Sequence, residues 1–319
     1  MGKIAILTSG GDAPGMNAVI RAVVRTAIYK GVEVYGVKNG YEGLIDGNLI
    51  EMNESSVADI IHRGGTILGT SRSERFMTEE GQLKAINILE IFGIDKLIVA
   101  GGDGSMKGAM ALSKHGIDVM GIPLTIDNDM GYTDYTIGFF TAITTVMDAI
   151  SHIRDTTESH GRANVVEVMG RNCGDIALYA GIASGAENIL VPEREFDLDE
   201  IAKKALVGKN RGKRHHIIIA AEGAGNSFEI AEKFEELTGI DTKVTILGYI
   251  QRGGSPNVSD RIMASAMGSK AVEFICDNEG SHAIGIKDGT VEVFDLEEAL
   301  NTKKEFKDDL KHILEVTSI

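Results

Sequence analysis

The chain has 319 residues, of which 43% are hydrophobic and 25% are charged, as is usual for a soluble globular protein. This length is enough for two domains or for one large α/β unit. The formal net charge of -15 argues against nucleic acid and anionic membranes as partners. Cys173 and Cys276 lie far apart in the sequence, so we predict a reduced cytoplasmic protein without a disulfide framework. The sequence shows no recognisable targeting segment and no apolar run long enough for a bilayer.

Short apolar runs alternate with helical periods along the chain, beginning with the strand pattern KIAILTSGG. A helix is predicted over residues 14–31, because apolar side chains recur there every three or four positions. Further strands are predicted at VEVYGV, KLIVAGG, DVMGIP, NVVEVMG, HHIIIAAEG and KVTILGY. A second long helix is predicted over residues 141–153, with the polar stretch RDTTESHGR ending it and marking the passage between two lobes. The alternation predicts an α/β fold with mostly parallel sheets and helices on both faces.

Three predicted strands end in glycine or aspartate, within TSGGDAPGMN, AGGDGSMKG and PLTIDND. Ligands of open α/β sheets bind beyond the carboxyl ends of the strands. Glycine turns leave backbone N–H groups exposed, and a following helix N-terminus attracts anions, so these turns are candidate phosphate sites. The glycines concerned are Gly10, Gly11, Gly101, Gly102 and Gly104. Neither the Walker loop nor the dinucleotide glycine fingerprint fits the chain, and a tight turn is the alternative for each loop by itself.

Asp127, Asn128 and Asp129 follow the third of these strands directly. Adjacent carboxylates repel one another unless a cation or a proton-transfer task holds them together. If Mg2+ and a phosphate chain lie between the loops, Asp103 can hold the metal. Asp127 can then take the proton from an attacking hydroxyl, while Asp129 orients Asp127 or the metal. A hydrogen-bonded turn is the structural alternative for the same three residues.

The succession of these motifs resembles one enzyme family. TSGGDAPGMN, AGGDGS, TIDND, VEVMGR, AEG and GYIQRGGSP follow one another in the order and spacing of the bacterial ATP-dependent 6-phosphofructokinases. The resemblance covers essentially the whole chain. It implies transfer of the γ-phosphoryl group of MgATP to the 1-hydroxyl of fructose 6-phosphate, a step of glycolysis.

The same resemblance implies two similar three-layer Rossmann-like lobes, assembled into a homotetramer. We expect residues 1–138 plus 251–301 to form the ATP and magnesium lobe. Residues 139–250 plus 302–319 are expected to form the sugar-phosphate lobe.

The resemblance also implies a role for individual positions. The catalytic group would be Gly11, Arg72, Thr125, Asp127, Asp129 and Arg171. The nucleotide and magnesium shell would be Gly11, Arg72, Ser73, Gly102, Asp103, Gly104 and Ser105, with Asp103 as the metal ligand. The fructose 6-phosphate ligands would be Thr125, Asp127, Arg162, Met169, Gly170, Arg171, Glu222, Lys243, Tyr249 and Arg252. In the family, the positions of Arg162 and Lys243 reach across a subunit interface.

Three residues depart from the family pattern near the reacting groups. Leu124 replaces a glycine, and its side chain would either narrow the phosphate channel or exclude water. Relatives that use pyrophosphate have lysine there and aspartate in place of Gly104, so Gly104 favours ATP. Lys243 replaces an arginine and Tyr249 a histidine, which predicts weaker binding of the 6-phosphate, because lysine lacks the guanidinium fork and tyrosine carries no positive charge.

Islands of positive charge predict a second anion site, although each island by itself is also explained by a solvated surface. In the family, such residues form an interface site for ADP as activator or phosphoenolpyruvate as inhibitor. The positions concerned are Arg21, Arg25, Arg154, Gly185, Glu187, Arg211, Lys213 and His215. Glu54 replaces a basic residue often found there, so we expect weaker or altered regulation.

Three other functions stay open at the level of the sequence. A kinase that uses pyrophosphate or a different sugar phosphate would accommodate Leu124, Lys243 and Tyr249. A regulatory paralogue with little turnover would bind the same ligands, but the retained Asp103 and Asp127 argue against it. A nicotinamide oxidoreductase has only the fold class in its favour.

Overall fold

The computed structural model describes residues 2–318. In these residues the strands are β1 (Lys3–Thr8), β2 (Glu33–Val37), β3 (Leu49–Glu51), β4 (Lys96–Gly101), β5 (Asp118–Pro123), β6 (Ala163–Val168), β7 (Asn188–Leu190), β8 (His216–Ala221), β9 (Thr242–Ile246), β10 (His282–Lys287) and β11 (Thr290–Asp295). The helices are α1 (Met16–Tyr29), α2 (Gly40–Ile45), α3 (Glu79–Phe92), α4 (Asp103–Ser113), α5 (Phe139–His160), α6 (Asp175–Ser184), α7 (Leu198–Asn210), α8 (Ser227–Thr238), α9 (Val258–Asp277), α10 (Leu296–Asn301) and α11 (Asp308–Thr317).

The strands form two sheets in two compact units. Within the described residues, the first unit comprises residues 2–126, 130–141 and 252–304, and the second comprises residues 127–129, 142–251 and 305–318. The first unit contains a seven-stranded sheet in the order β11-β10-β5-β4-β1-β2-β3, and the second a four-stranded sheet in the order β7-β8-β6-β9. The second sheet is parallel throughout, whereas β3 and β11 run antiparallel to their neighbours in the first. The α/β class and the mostly parallel sheets predicted from the sequence are confirmed.

The central strands of both sheets are buried on both faces, as their continuous apolar sequences require. Ile6 in β1 and Val99 in β4 are fully buried, as are Val165 in β6 and Ile218 in β8. Helix α1 packs its apolar stripe inward and starts at Met16 rather than at residue 14. Each sheet therefore has a rigid apolar core that fixes the loops at its strand ends.

Helix α5 corrects one prediction from the sequence. The polar stretch expected to end the helix after residue 153 is itself helical as far as His160. Its hydroxyl side chains bond within the helix, since Thr157 Oγ1 donates to the Ile153 carbonyl at 2.6 Å and Ser159 Oγ to the Asp155 carbonyl at 2.8 Å. Apart from the buried Thr157, residues 155–160 are exposed, so the polar stretch marks a helix face here rather than a helix end. The helix ends at Gly161, whose φ of +66° is typical of a C-terminal glycine.

The hairpin of β10 and β11 was missing from the predicted strands. Its six-residue strands pair antiparallel around a turn at Asp288 and Gly289. Both turn residues have positive φ, as the favoured two-residue hairpin turns require. The Asp-Gly pair and the alternation in TVEVFD were the available signals.

Candidate active site

Three loops of the first unit follow three neighbouring strands, β5, β4 and β1. Because these strands are parallel, the loops Ser9–Gly11, Gly101–Asp103 and Leu124–Thr125 lie at one edge of the sheet. The chain passes from β1 to β2 on one side and later reaches β4 on the other, so this edge is a topological switch point. The structure thus brings together the three turns that the sequence marked as candidate phosphate sites.

Gly11 is closely approached by a side chain. A Cβ at this position would lie 2.0 Å from Nη1 of Arg252. The guanidinium of Arg252 therefore rests directly against the first glycine turn. The two residues were assigned to different ligands in the sequence, Gly11 to the nucleotide and Arg252 to the sugar phosphate, yet both belong to the first unit.

Helix α4 begins at Asp103, directly after the Gly101–Gly102 turn. The Asp103 carboxylate is exposed and pairs with Lys107 one turn later, at 2.7 Å. A Cβ placed on Gly104 would meet no atom within 4 Å, so space is open beside Asp103. Ser105 is buried, and its carbonyl accepts a hydrogen bond of 2.6 Å from the Tyr41 hydroxyl.

The two predicted nucleotide ligands on the long loop before α3 differ in their surroundings. Arg72 is exposed. The Ser73 hydroxyl instead donates to Glu42 in the first turn of α2, and Arg75 forms an ion pair with the same carboxylate. These two contacts, Ser73 first, hold the pKa of Glu42 below its usual value. Glu42 thereby anchors the loop, a role that sequence reasoning did not assign.

Leu124 is fully buried and forms an isolated parallel bridge with Ile137. The adjoining Thr125 is fixed through its backbone, since its N–H donates to the Ile137 carbonyl at 3.1 Å and its carbonyl accepts from the Thr136 hydroxyl at 2.7 Å. These two bonds fix the backbone from which the Thr125 side chain projects.

Asp127 and Arg171 meet in the second unit. The Asp127 carboxylate is almost fully buried, and its Oδ2 lies 3.3 Å from Nε of the half-exposed Arg171 guanidinium. Arg171 has a φ of +54°, a conformation that few residues other than glycine adopt. The predicted base and one predicted charge-neutralising arginine are therefore direct neighbours.

The loop after β6 is held at several backbone positions. The Arg171 N–H donates to Glu222 Oε1 at 2.8 Å, and the Met169 N–H donates to Gln251 Oε1 at 3.1 Å. Gly170 adopts a φ of +131°, and a Cβ there would lie 2.4 Å from the Cys173 carbonyl oxygen. Glu222, predicted as a sugar-phosphate ligand, thus fixes the backbone of Arg171.

Arg162 and Lys243 lie at the opposite edge of the four-stranded sheet. Arg162 precedes β6 and Lys243 belongs to the start of β9, and both bind Asp241, Arg162 Nε at 2.6 Å and Lys243 Nζ at 2.6 Å. These cations, Lys243 first, lower the pKa of Asp241. The six residues of β6 separate Arg162 from the Arg171 loop by about 20 Å. Within one chain, the predicted sugar-phosphate ligands therefore do not form a single site. Tyr249, at the end of the second unit, is 81% exposed.

The predicted effector residues of the second unit cluster at this same edge. Arg154 donates to the Gly185 carbonyl at 3.0 Å. The buried Glu187 binds Lys213 Nζ at 2.7 Å and lies 3.5 Å from His215 Nε2. Arg211 is exposed at the end of α7. Arg21 and Arg25 share one helix, α1, in the first unit.

A cavity of about 210 Å³ opens in the second unit beside this cluster. It is lined by basic side chains from the end of α7 and the start of β8, and by Arg162. The charged and imidazole side chains in its wall are Arg162, Lys209, Lys213, Arg214, His215 and His216. A predicted substrate ligand and two predicted effector ligands therefore share one cavity.

Comparison with known proteins identifies the family. The phosphofructokinase family model matches residues 3–275. The chain belongs to the phosphofructokinase family. The family resemblance inferred from the motifs is thereby confirmed. In residues 2–318, no helix is both long and apolar enough to cross a membrane.

Several relatives in this family match the full length of the chain. The ATP-dependent 6-phosphofructokinase of Finegoldia magna is 61% identical over 319 residues, and that of Clostridium tetani is 58% identical over 318, with 100% of both chains covered in each case. The solved structure of phosphofructokinase from Saccharomyces cerevisiae superposes with a TM-score of 0.92 and 38% identity. That match covers 100% of this chain and 48% of the yeast chain, so this chain spans about half the yeast protein's length.

Proposed function

We propose that this protein transfers the γ-phosphoryl group of ATP to the 1-hydroxyl of fructose 6-phosphate, yielding ADP and fructose 1,6-bisphosphate in glycolysis. The observation that carries the proposal is the buried Asp127 carboxylate, 3.3 Å from the Arg171 guanidinium, in a chain of this family. Asp127 accepts the hydroxyl proton as the oxygen attacks phosphorus. Arg171 offsets the negative charge that spreads over the transferred group.

The nucleotide phosphates bind at the switch-point edge of the first unit. Gly11, Gly102 and Gly104 present backbone there, and the N-terminus of α4 adds its positive dipole end. Arg72 is exposed and placed on the loop before α3, where it pairs with phosphate oxygens. Thr125 donates its hydroxyl to the transferred group. Phosphoryl transfer depends mostly on such positioning and charge neutralisation.

The residues present fit a magnesium ion that travels with ATP. Asp103 offers an exposed carboxylate beside the open space at Gly104, and such an oxygen donor suits a cation that keeps phosphate oxygens and water as its other ligands. Asp103 would hold Mg2+, and its pair with Lys107 would be exchanged for the ion. When bound, the ion neutralises charge on the phosphates.

The positions of the predicted sugar-phosphate ligands at two edges of the second sheet support an oligomer. Arg162 and Lys243 lie about 20 Å from the Arg171 loop along β6, too far for one sugar phosphate. We infer that these two cations complete the site of a neighbouring subunit in a homotetramer. A fully active, stable monomer in light scattering combined with activity measurements would contradict this inference.

Regulation is proposed at the basic cluster of the second unit. Lys213, His215 and Arg154 surround Glu187 and Gly185, which suits a phosphorylated effector such as ADP or phosphoenolpyruvate. Titration of each effector is expected to change the cooperativity of fructose 6-phosphate, and Lys213→Ala is expected to weaken that response. A location in the cytoplasm is part of the same proposal.

The central experiment compares initial rates with ATP and with pyrophosphate, using Mg2+ and fructose 6-phosphate. ATP-dependent formation of the 1,6-bisphosphate is expected. Asp127→Asn should lower kcat by about 10²–10⁴-fold, the range for loss of a general base, with little change in KM for ATP. Turnover with pyrophosphate alone, or with another sugar phosphate alone, would replace the proposal. Full activity of Asp127→Asn would remove Asp127 as the base.

A further inference from the structure

A hydrogen bond in the second unit ties the Asp127 turn to helix α6. Asn128 is fully buried, and its Nδ2 donates to Oδ2 of Asp175 at 2.7 Å. Asp175 is the first residue of α6 and is only 1% exposed. Forty-seven positions separate the two residues in the sequence, so neither motif alone predicts the pair.

The same loop makes a second contact with the turn. The Cys173 thiol donates to the Asn128 carbonyl at 3.8 Å. Asn128 adopts a φ of +53°, a left-handed conformation that asparagine and aspartate tolerate better than other side chains. The turn is thus held by two contacts of Asn128, one through its side chain and one through its carbonyl group.

The far end of this loop carries Arg171. The loop is fixed from its other side, because the Gly174 N–H donates to Glu193 Oε1 at 2.8 Å and the Arg171 N–H donates to Glu222. A Cβ on Gly223 would lie 2.1 Å from the Arg171 carbonyl oxygen, so the backbones also touch there. The loop therefore acts as one body, with Arg171 at one end and the Asn128 contacts at the other.

We propose that Asp175 is a positioning residue that sets the placement of the Asp127 carboxylate relative to Arg171 through its hydrogen bond to Asn128. The proposal rests on the phosphoryl transfer proposed above. A buried amide that donates to a carboxylate is a strong, directional tie, and its loss leaves polar groups to find new partners. Asp127 then moves away from the attacking hydroxyl, while the nucleotide loops of the first unit are unchanged.

The test uses full-length protein and separates kcat from KM. Asp175→Ala is expected to lower kcat by about 10–100-fold, as a misplacement near 1 Å does, with KM for ATP within about twofold. Asp175→Asn keeps an acceptor oxygen for Asn128 and is expected to stay within about fivefold of wild-type kcat. Asn128→Asp sets two carboxylates against each other and should lose as much as Asp175→Ala.

Exchange of the amide and the carboxylate between positions 128 and 175 should restore part of the lost kcat. The double variant Asn128→Asp with Asp175→Asn restores one donor and one acceptor, and aspartate accepts the same left-handed backbone. Its kcat should exceed that of Asn128→Asp alone by about tenfold. Asp199→Ala, which removes an exposed first-turn carboxylate from α7, controls for the loss of charge at a helix start and should leave kcat unchanged.

Two results would overturn the proposal. One is wild-type kcat in Asp175→Ala, and the other is a double variant no better than Asn128→Asp. If Asp175→Ala does not fold, the single and double exchange variants decide the question. An inactive wild type would instead remove the proposed reaction and this inference with it, so the two failures are distinguishable.

Discussion

The two units carry their candidate ligand residues in different ways. In the first, much of the candidate nucleotide site is backbone, namely the turn at Gly11, the open space at Gly104 and the N-terminus of α4, although Asp103 is paired with Lys107. In the second, they are charged side chains already paired, such as Asp127 with Arg171 and Lys213 with Glu187. The candidate nucleotide site is therefore shaped mostly by backbone, whereas the candidate ligand residues of the second unit are already paired with one another in this structure.

The largest expected effect concerns the backbone-built side. Gly104→Asp places a carboxylate in open space next to Asp103, where it repels the ATP phosphates and competes for the metal. We expect kcat/KM for ATP to fall by about 100-fold or more, equivalent to about 3 kcal/mol. Gly104→Ala is the matched control, because its Cβ would meet no atom within 4 Å. Equal losses in both variants would show that space rather than charge matters.

Acid should reveal a sensitive core position in the second unit. His216 is buried against Phe234 and Asn188, and burial lowers its pKa to about 4. The unfolded chain binds a proton near pH 6.5, so the stabilisation is present above that pH and is lost as the pH falls towards 4. The free energy of unfolding should fall by about 3 kcal/mol more across this window than in His216→Gln. Parallel pH curves from denaturant titrations would contradict this.

A buried carboxylate in the first unit gives stability the opposite dependence on pH. Burial raises the pKa of Asp260, although the Thr141 hydroxyl and the backbone N–H groups of residues 138, 140 and 141 donate to it. A raised pKa means that stability falls as the pH rises from the unfolded value through the folded one. As the pH falls, His216 therefore lowers the free energy of unfolding, whereas Asp260 raises it.

Gly11→Ala tests the close approach of Arg252. The new Cβ would lie 2.0 Å from Nη1, so the flexible guanidinium must move rather than the backbone. Displacement of one charged hydrogen-bonding group should lower kcat/KM for fructose 6-phosphate by about tenfold. Arg252→Ala added to Gly11→Ala should then cost little more. Fully additive losses would mean that the alanine acts by another route.

The smallest expected effect concerns Lys243, on the side-chain-built unit. Lys243→Arg restores a guanidinium fork beside Asp241 and should lower KM for fructose 6-phosphate by about two- to fivefold. Lys243→Ala should raise it. KM for ATP serves as the internal control and should not change in either variant. Identical sugar-phosphate kinetics in all three proteins would exclude Lys243 from the site.

Much of the fold and the nucleotide side could be predicted from the sequence, because local patterns determine them. Apolar strands that end in glycine turns give the switch-point edge without knowledge of distant contacts. The prediction that α5 ends near residue 153 is wrong, because the exposed face of a helix and a helix end have similar composition. The hairpin of β10 and β11 was overlooked although its Asp288-Gly289 turn is local.

The side-chain pairs could not be predicted in the same way. Asn128 bonds to Asp175 across forty-seven positions of sequence, and Arg162 lies beside Asp241 because β6 and β9 pair in a particular register. Glu42 anchors Ser73 from a helix thirty-one positions earlier. Composition and periodicity contain no information about such contacts. The motif resemblance assigned roles to Arg162 and Ser73, but it did not assign one to Asn128 or to any of these partners.

Strand β6 connects Arg162 at one end with the Arg171 loop at the other, and Val165 and Val166 between them are fully buried. A substitution that displaced this short strand would move Arg162 and the Arg171 loop together. If each end serves a different copy of the active site, the length of β6 sets the distance between two active sites of the assembly. Substitutions in β6 then affect the geometry of neighbouring subunits, even at positions that do not contact a ligand.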